Sequence, residues 1–250
     1  VAPFDKTVTK RYKDGISPYQ FFTFGEDPAR YDCIVNLPKL KTHGMMGLTL
    51  GVKNTFGFIH SFEKARWHLR AGQDTKTFAS ILVDIHQLVK PTLTILDGIV
   101  GMDREGPSSG RARDIGIITL SRNAFALDHY IERLVGLTAP LPITQKALEH
   151  DLVGEYEVQV EGQPVIKDFE IPKTVDTDWP VPVFIKKILK NIFVKKPRLK
   201  GELCKGCAVC CKVCPAGALA FFEERPTFDY RKCIRCYCCQ EMCPEGAITL

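Results

Sequence analysis

The sequence predicts a layered α/β domain followed by a small α+β domain that is rich in cysteine. Two observations support this fold class: apolar runs of strand length alternate with segments of helical periodicity before residue 151, and ten of the eleven cysteines lie in the last fifty residues, eight of them in two copies of one pattern. Hydrophobic residues make up 45% of the 250-residue chain, which is typical of a globular protein with one sizeable core. We therefore expect an α/β domain over residues 1–175, a basic linker or strut helix over 176–200 and the cysteine-rich domain over 201–250.

The strands at the two ends of the α/β domain are predicted from their apolar residues. Residues 31–37 are mostly apolar and precede Pro38, which favours a buried strand with Cys33 in the core. Beyond residue 151, alternate positions are apolar, which is typical of a strand with one buried face. That face consists of Tyr156, Val158 and Val160.

Helices and strands alternate between those two ends. Residues 78–89 carry apolar side chains three or four positions apart and predict a helix. Residues 93–96 and 115–120 are short apolar runs typical of strands, and residues 123–135 predict a second helix that ends at Gly136. The alternation predicts helices layered on a sheet.

The cysteine-rich domain contains two copies of the pattern C-x2-C-x2-C-x3-C-P. This is the spacing of bacterial ferredoxins with two 4Fe-4S clusters, in which three close cysteines hold one cluster and the fourth binds the other. The domain is therefore predicted to be ferredoxin-like, with each cluster joining its two halves. The predicted ligands are Cys204, Cys207, Cys210 and Cys243 for the first cluster, and Cys233, Cys236, Cys239 and Cys214 for the second.

Zinc binding and a disulfide framework fit the cysteines less well. A zinc site needs only four ligands and does not require the third cysteine and the Cys-Pro of each copy, and disulfide frameworks are typical of small secreted domains. Cys211 and Cys238 adjoin ligands, and we expect them to line the cluster cavities as small apolar residues. Clusters and free thiols also favour a reducing, cytoplasmic location.

The net charge of +5 is concentrated in one segment. Residues 181–200 contain seven lysines or arginines and no acidic residue, whereas the other 230 residues carry 27 basic and 29 acidic side chains. Three interpretations of this segment stay open: a strut helix between the domains, a docking surface for an acidic redox partner, and a helix on a membrane surface. Nucleic-acid binding is not predicted, because no nucleic-acid-binding signature accompanies the basic residues.

The richest candidate site of the α/β domain is the segment 36–57, which follows the first predicted strand. Loops at the carboxyl ends of strands hold ligands in open α/β sheets, and Gly47 and Gly51 allow backbone amides to approach a bound cofactor. Positive side chains make an anionic cofactor or substrate the predicted occupant. These side chains are Lys39, Lys41, His43 and Lys53. In the alternative interpretation, the glycines serve turns and packing and the lysines are solvated.

Two aspartates and a loop complete the candidates. Asp97 follows the apolar run 93–96, a position suited either to binding a cofactor or metal or to capping a turn. Asp128 follows two apolar residues, which favours a buried hydrogen-bonding role over catalysis. Residues 103–110 are rich in glycine, serine and charge and predict a mobile loop or lid.

Several of these segments together resemble the family named domain of unknown function 362, whose members frequently carry a C-terminal ferredoxin domain. The resemblance lies in LPKLKTH at 37–43, GVKNTFG at 51–57, DGIVGM at 97–102, GPSSG at 106–110 and SRNAFALD at 121–128. Members usually begin with roughly a hundred further residues that form the first βα units. The resemblance thus implies an α/β domain that lacks its N-terminal part.

The glycine-rich segment also resembles, over a shorter stretch, the nickel-pincer lactate racemases. In those enzymes a histidine and a lysine ten residues apart flank a glycine-rich turn, and the lysine holds the cofactor. His43 and Lys53 have this spacing, and His68 stands where a further histidine would fit. We therefore take His43 and Lys53 as the catalytic candidates, with His43 as acid or base.

Three functions fit these features. The first is a ferredoxin-linked oxidoreductase, in which two clusters transfer electrons to or from an anionic ligand around His43 and Lys53. The second is an electron-transfer or accessory protein whose first domain docks a partner enzyme. The third is a maturation factor that uses reducing equivalents to assemble a cofactor or metal site. A redox partner protein is expected for each.

Overall fold

The structure, a computed structural model, describes residues 7–71, 74–172 and 194–250. Its strands are β1 (Val8–Arg11), β2 (Phe21–Phe24), β3 (Val35–Asn36), β4 (Lys39–His43), β5 (Gly47–Thr49), β6 (Leu93–Asp103), β7 (Arg111–Ser121), β8 (Arg198–Leu199), β9 (Leu219–Phe222), β10 (Arg225–Phe228) and β11 (Ile248–Thr249). Its α-helices are α1 (Gly51–Asn54), α2 (Ser61–Ala71), α3 (Thr75–Val89), α4 (Ala124–Leu134), α5 (Pro142–Glu149) and two single turns, Val209–Lys212 and Cys238–Glu241. Short 3-10 helices lie at Pro28–Arg30, Thr55–Phe58 and Gly201–Leu203. None of the described helices is long and apolar enough to cross a membrane.

A mixed five-stranded sheet forms the centre of the α/β domain. The long strand β6 pairs antiparallel with β7 on one side. On its other side it pairs in parallel with β3 and then with β4, and β5 continues from β4 as an antiparallel hairpin. The chain passes from β4 to β6 through helices, as parallel neighbours require. The predicted α/β architecture is therefore confirmed.

Two apolar cores hold the helices in place. The larger core centres on α3, and its residues Phe78, Ile81 and Ile85 are fully buried. Trp67 of α2 stacks on Phe22 with ring centroids 5.1 Å apart, which fixes β2 against the helices. The smaller core joins the sheet to α4. Its fully or nearly buried members include Leu40, Leu96, Leu127 and Ile131.

The predicted helix over 123–135 is present and is capped at both ends as its sequence indicates. The side chain of Asn123 accepts hydrogen bonds from the backbone amides of Phe125 (2.9 Å) and Ala126 (3.2 Å), which are otherwise unpaired at a helix start. Gly136 follows the helix with a φ of +88°, a conformation that glycine adopts without strain.

Two strand predictions in the α/β domain are wrong. Only Val35–Asn36 of the segment 31–37 form a strand, and Cys33, which was expected in the core, is exposed. The described residues 151–172 contain no strand, and Val158 and Val160 are exposed. An apolar or alternating segment forms a strand only where a neighbouring strand pairs with its backbone amides and carbonyls. In the segment 31–37, only the two residues of β3 find such partners on β6.

The cysteine-rich domain shows the predicted internal repeat. The antiparallel pair β8–β11 joins the beginning of the domain to its end, and the hairpin β9–β10 connects the two halves. Backbone conformations recur at the 29-residue spacing that separates the two cysteine patterns. Residues with positive φ occur at matching places, namely Gly206 and Arg235, Ala208 and Tyr237, and Gly217 and Gly246.

Candidate functional site

The predicted ligands of the first cluster surround one cavity. Cys204, Cys207 and Cys210 line it from the first copy of the pattern, and Cys243 reaches it from the second copy. Most of the remaining lining is apolar and includes Leu199 and Ile248, together with the charged residues Lys205 and Glu245. The four thiols therefore fit a 4Fe-4S cluster in the crossed arrangement that the spacing predicts.

The ligands of the second cluster are also brought together. Burial, and after it the nearby thiolates of Cys236, Cys233, Cys214 and Cys210, raise the pKa of Cys239, so the predicted ligands of the second cluster lie near one another, with Cys210 of the first cluster close by. Iron takes up such thiolates, and each bound cluster supplies one-electron transfer.

Backbone amides support one ligand of each cluster at equivalent places in the repeat. The amide of Ala218 donates to the sulfur of Cys214 (3.2 Å), and the amide of Ala247 donates to the sulfur of Cys243 (3.3 Å). Donors of this kind stabilise thiolate charge and tune the potential of a bound cluster. The chain thus carries two 4Fe-4S clusters.

The loop between β6 and β7 holds the two domains together. Ser108 Oγ donates to the carbonyl of Glu241 (3.1 Å), and Ser109 Oγ donates to the carbonyls of Gly246 (3.1 Å) and Ile248 (2.7 Å). Composition predicted a mobile loop here. The structure instead shows that the serines fasten it to the cysteine-rich domain.

A buried charge cluster joins the domains beside this loop. Glu241 follows the ligand Cys239 by two residues, and its Oε1 lies 3.2 Å from Lys53 Nζ. Its Oε2 lies 3.6 Å from Nε2 of His43. Only 4% of the Lys53 side chain is exposed, against 29% for Glu241. Burial alone favours the neutral acid, but Lys53 and His43 outweigh it and hold the pKa of Glu241 well below its usual range.

His43 has both ring nitrogens directed at the protein. Its Nδ1 accepts hydrogen bonds from the amides of Met45 and Met46, each at 3.1 Å, so the neutral ring carries its proton on Nε2, which faces Glu241. Burial, reinforced by Lys53, lowers the pKa of His43 and favours this neutral form. In this arrangement His43 orients Glu241. The predicted role of His43 as acid or base stays a prediction.

Asp128 places Lys53 through the start of helix α1. This buried carboxylate accepts the amides of Gly51 (2.7 Å) and Val52 (3.0 Å), which agrees with the expected hydrogen-bonding role of Asp128. Gly51 packs so closely that an added Cβ would lie 3.0 Å from the Asp128 carboxylate, and Gly47 turns the chain with a φ of +77°. The structure thus shows packing at Gly51 and a turn at Gly47, and their predicted role in binding a cofactor stays a prediction.

The space between the two domains next to Lys53 is a cavity of about 320 Å³. From the α/β domain, its charged or ionisable lining consists of Lys39, Lys41, Lys53, Lys64 and His68. From the cysteine-rich domain, Glu241 is joined by Val213, Cys238 and Met242, which directly adjoin the cluster ligands Cys214, Cys239 and Cys243. Among the described lining residues, four lysines therefore face one carboxylate.

The structure brings some predicted site residues together and sets others apart. Lys39, Lys41 and Lys53 line the cavity, whereas His43 lies behind Glu241. Asp97 accepts a bond from Lys39 Nζ (2.7 Å) and caps its own backbone through the amide of Ile99 (3.0 Å), as in the turn-capping interpretation. Cys238 is buried and lines this interdomain cavity.

Sequence reasoning missed Lys64 and Glu241, and His68 was noted only for its spacing. A comparison of the two repeats does contain a signal for Glu241. The residue 29 positions earlier is Lys212, which is exposed, so the charge reverses between equivalent sites of the repeat. A reversal of this kind indicates that one copy faces a different neighbour.

The basic segment lies mainly outside the described residues. Residues 173–193 are not described, so the strut, docking and membrane-surface interpretations of 181–200 and the domain boundaries at 175 and 200 stay predictions. In the described remainder, Lys195 Nζ lies 3.3 Å from a carboxylate oxygen of Glu105. A second cavity, of about 840 Å³, is lined by Pro172 and Val194, which flank the undescribed segment, and we assign it no function.

Comparisons with known proteins match both parts of the chain. Residues 2–133 match the model of a family described as domain of unknown function (DUF362), and residues 196–244 match a 4Fe-4S dicluster domain. The thylakoid-associated protein sll1697 of Synechocystis sp. (strain ATCC 27184 / PCC 6803 / Kazusa) is 30% identical over 197 residues. The aligned part is 75% of this chain and 61% of that protein, so the chain spans less than two thirds of this relative.

Proposed function

We propose that this chain, which belongs to the DUF362 family and ends in a 4Fe-4S dicluster domain, is an oxidoreductase that exchanges electrons with an anionic substrate or cofactor. The dicluster domain itself indicates electron transfer with redox partners. One observation supports a substrate site in addition to the clusters. The lysine-lined cavity is closed on its other side by residues that adjoin ligands of both clusters.

The position of the cavity suits electron exchange. Val213 and Cys238 each lie one residue from a ligand of the second cluster, and Met242 lies one residue from a ligand of the first. A molecule in the cavity would therefore contact the chain segments that hold both clusters. A site elsewhere on the sheet would lack this proximity.

The charges of the cavity suit an anion. Glu241 fixes the position of the buried Lys53 side chain, so its ammonium needs little reorganisation to meet a negative group. Lys41 approaches the same space from β4, on the opposite domain from the cysteine ligands.

Because clusters and exposed thiols such as Cys33 need a reducing environment, we propose a cytoplasmic location. The thylakoid association named for the relative remains a property of that protein.

Lys53→Met is expected to slow substrate turnover strongly while the clusters stay intact. The change removes the buried ammonium at about constant side-chain length, and the rate should fall about 10- to 100-fold. The experiment incubates anaerobic protein, reduced with dithionite, with a small-molecule extract and follows the extract by mass spectrometry. The expected product differs from its precursor by two hydrogen atoms, because dithionite supplies two electrons and water supplies two protons.

Lys13→Met is the matched control, because Lys13 is exposed and lies outside the cavity lining. It should convert the same compound at the wild-type rate, and all three proteins should contain equal amounts of iron. If wild-type protein with full iron content converts no compound, or if Lys53→Met converts it as fast, the proposed enzyme activity is wrong.

A second candidate, an accessory protein that docks a partner enzyme, is favoured by one surface of the sheet. Leu120 pairs with Ile95, and Val35 pairs with Leu93, so these residues share one face together with Ile118. Val35 is 49% exposed, Ile118 62% and Leu120 66%. An apolar face of this kind is typical of a protein interface. Under this alternative, no small molecule is converted by the chain alone.

A further inference from the structure

We infer that the interdomain cavity binds a small organic dianion, whose two negative charges are balanced by Lys41 and Lys64. This inference rests on the proposed function and names the class of ligand that it leaves open. Two of the four lysines that line the cavity already form an ion pair with a carboxylate of the protein. Lys39 Nζ lies 2.7 Å from Asp97, and Lys53 Nζ lies 3.2 Å from Glu241.

The other two lysines of the lining lack such a neighbour. Among the described residues, no carboxylate lies within ion-pair distance of Lys41 or Lys64. Within each of the two ion pairs the positive and negative charges cancel, so the lining keeps two uncompensated positive charges, those of Lys41 and Lys64. A ligand with two negative charges would make the cavity neutral.

The surroundings of Lys64 strengthen the case for an anion beside it. Burial lowers the pKa of Lys64; attraction to Glu241 opposes this shift only in part, and repulsion from Lys53 adds to it. A partly buried ammonium without its own carboxylate is unfavourable, and an acidic group of a ligand would relieve that cost. Lys64 lies on α2, whereas Lys41 lies on β4, so two different elements supply the uncompensated charges.

His68 supplies an independent sign that the cavity receives a polar ligand. It is 1% exposed and lines the cavity, yet its Nδ1 has no hydrogen-bond partner in the described structure. Phe78 and Phe56 fix its ring, with ring centroids 4.4 Å and 5.9 Å away. Burial lowers the pKa of His68 to about 3, so the ring is neutral and suits an uncharged polar group of the ligand.

The size and the apolar lining limit the ligand further. A volume of about 320 Å³ is at the lower end for ligand sites and fits a small metabolite rather than a dinucleotide. Phe56, Val213 and Met242 offer apolar surface for a short carbon skeleton. Either a dicarboxylate or a phosphate monoester has the required charge, and the experiment separates the two.

Isothermal titration calorimetry on the oxidised, anaerobic holoprotein tests the inference. The probes are succinate with its monomethyl ester, and glycerol 3-phosphate with glycerol. At least one dianion should bind at least about tenfold tighter than its partner, because succinate forms one more charge pair than its monomethyl ester and glycerol 3-phosphate forms two more than uncharged glycerol. The probe that binds tells whether carboxylate or phosphate is preferred.

Lys41→Met and Lys64→Met should each weaken binding of that dianion about tenfold. Lys13→Met, an exposed lysine outside the cavity, should leave it unchanged. Equal affinities within each probe pair, no binding of either dianion at millimolar concentration, or unchanged affinity in both cavity variants overturns the inference. No electrons flow in this assay, so its failure leaves the turnover test of the proposed function independent.

Discussion

Removing two cysteines from the same predicted cluster should leave the other cluster in place, even though the two residues belong to different copies of the motif. Cys204→Ala combined with Cys243→Ala removes two ligands of the first cluster only, so the protein should retain about four of roughly eight irons. Cys204→Ala combined with Cys214→Ala removes one ligand from each cluster, and the iron content should fall well below four. Iron and sulfide analysis of anaerobic protein, with electron paramagnetic resonance after reduction, gives the result.

The geometry behind this expectation is the shared cavity of the first cluster, in which Cys243 joins the three cysteines of the other copy. Cys33→Ala combined with Cys211→Ala serves as the control, because neither residue is a predicted ligand, and it should keep the full iron content. If the Cys204 and Cys214 pair of substitutions retains four irons while the Cys204 and Cys243 pair loses all of them, each motif binds its own cluster and the crossed assignment is wrong.

The three close ligands of each cluster were predictable because short-range spacing determines them, and the fourth follows from the repeat of the pattern. Three cysteines in seven residues bring their sulfurs together through local turns, and the helical turn Val209–Lys212 needs no distant contact to form. The helix α4 was predictable for the same reason, since Asn123 and Gly136 cap it through their nearest neighbours. Turns and caps that depend only on neighbouring residues can be predicted from the sequence.

The interdomain cavity was only half predictable, because its second wall is distant in sequence. The lysines of segment 36–57 indicated an anion, but the pair of Lys53 and Glu241 joins residues 188 positions apart. The two wrong strand predictions have a related cause. Residues 31–34 and the alternation around Val158 satisfy a local pattern, yet pairing depends on a neighbouring strand that the pattern does not reveal.

Glu241→Ala is expected to be the most destabilising single charge removal at the domain interface. The buried ammonium of Lys53 would then lie beside Lys64 without a carboxylate, and His43 would lose the group that its Nε2 faces. The cost should be about 2–4 kcal/mol, somewhat less than for a fully buried pair because Glu241 is 29% exposed. Urea unfolding of anaerobic holoprotein, followed by circular dichroism, measures it. Glu202→Ala, at an exposed acid of the same domain, should change stability little.

A double-mutant cycle separates the ion pair from other effects of losing Glu241. Lys53→Met and Glu241→Leu are combined so that neither charge remains, and the two changes together should cost about 1–3 kcal/mol less than the sum of the single changes. Iron content is measured in every variant, because Glu241 lies two residues from both Cys239 and Cys243 and its replacement also tests whether the ligands keep their places. Strict additivity with full iron content would mean that the pair contributes nothing to docking. A coupling of the expected size would show that the lysine of the α/β domain and the carboxylate between two cluster ligands hold each other, which is the contact that closes the cavity.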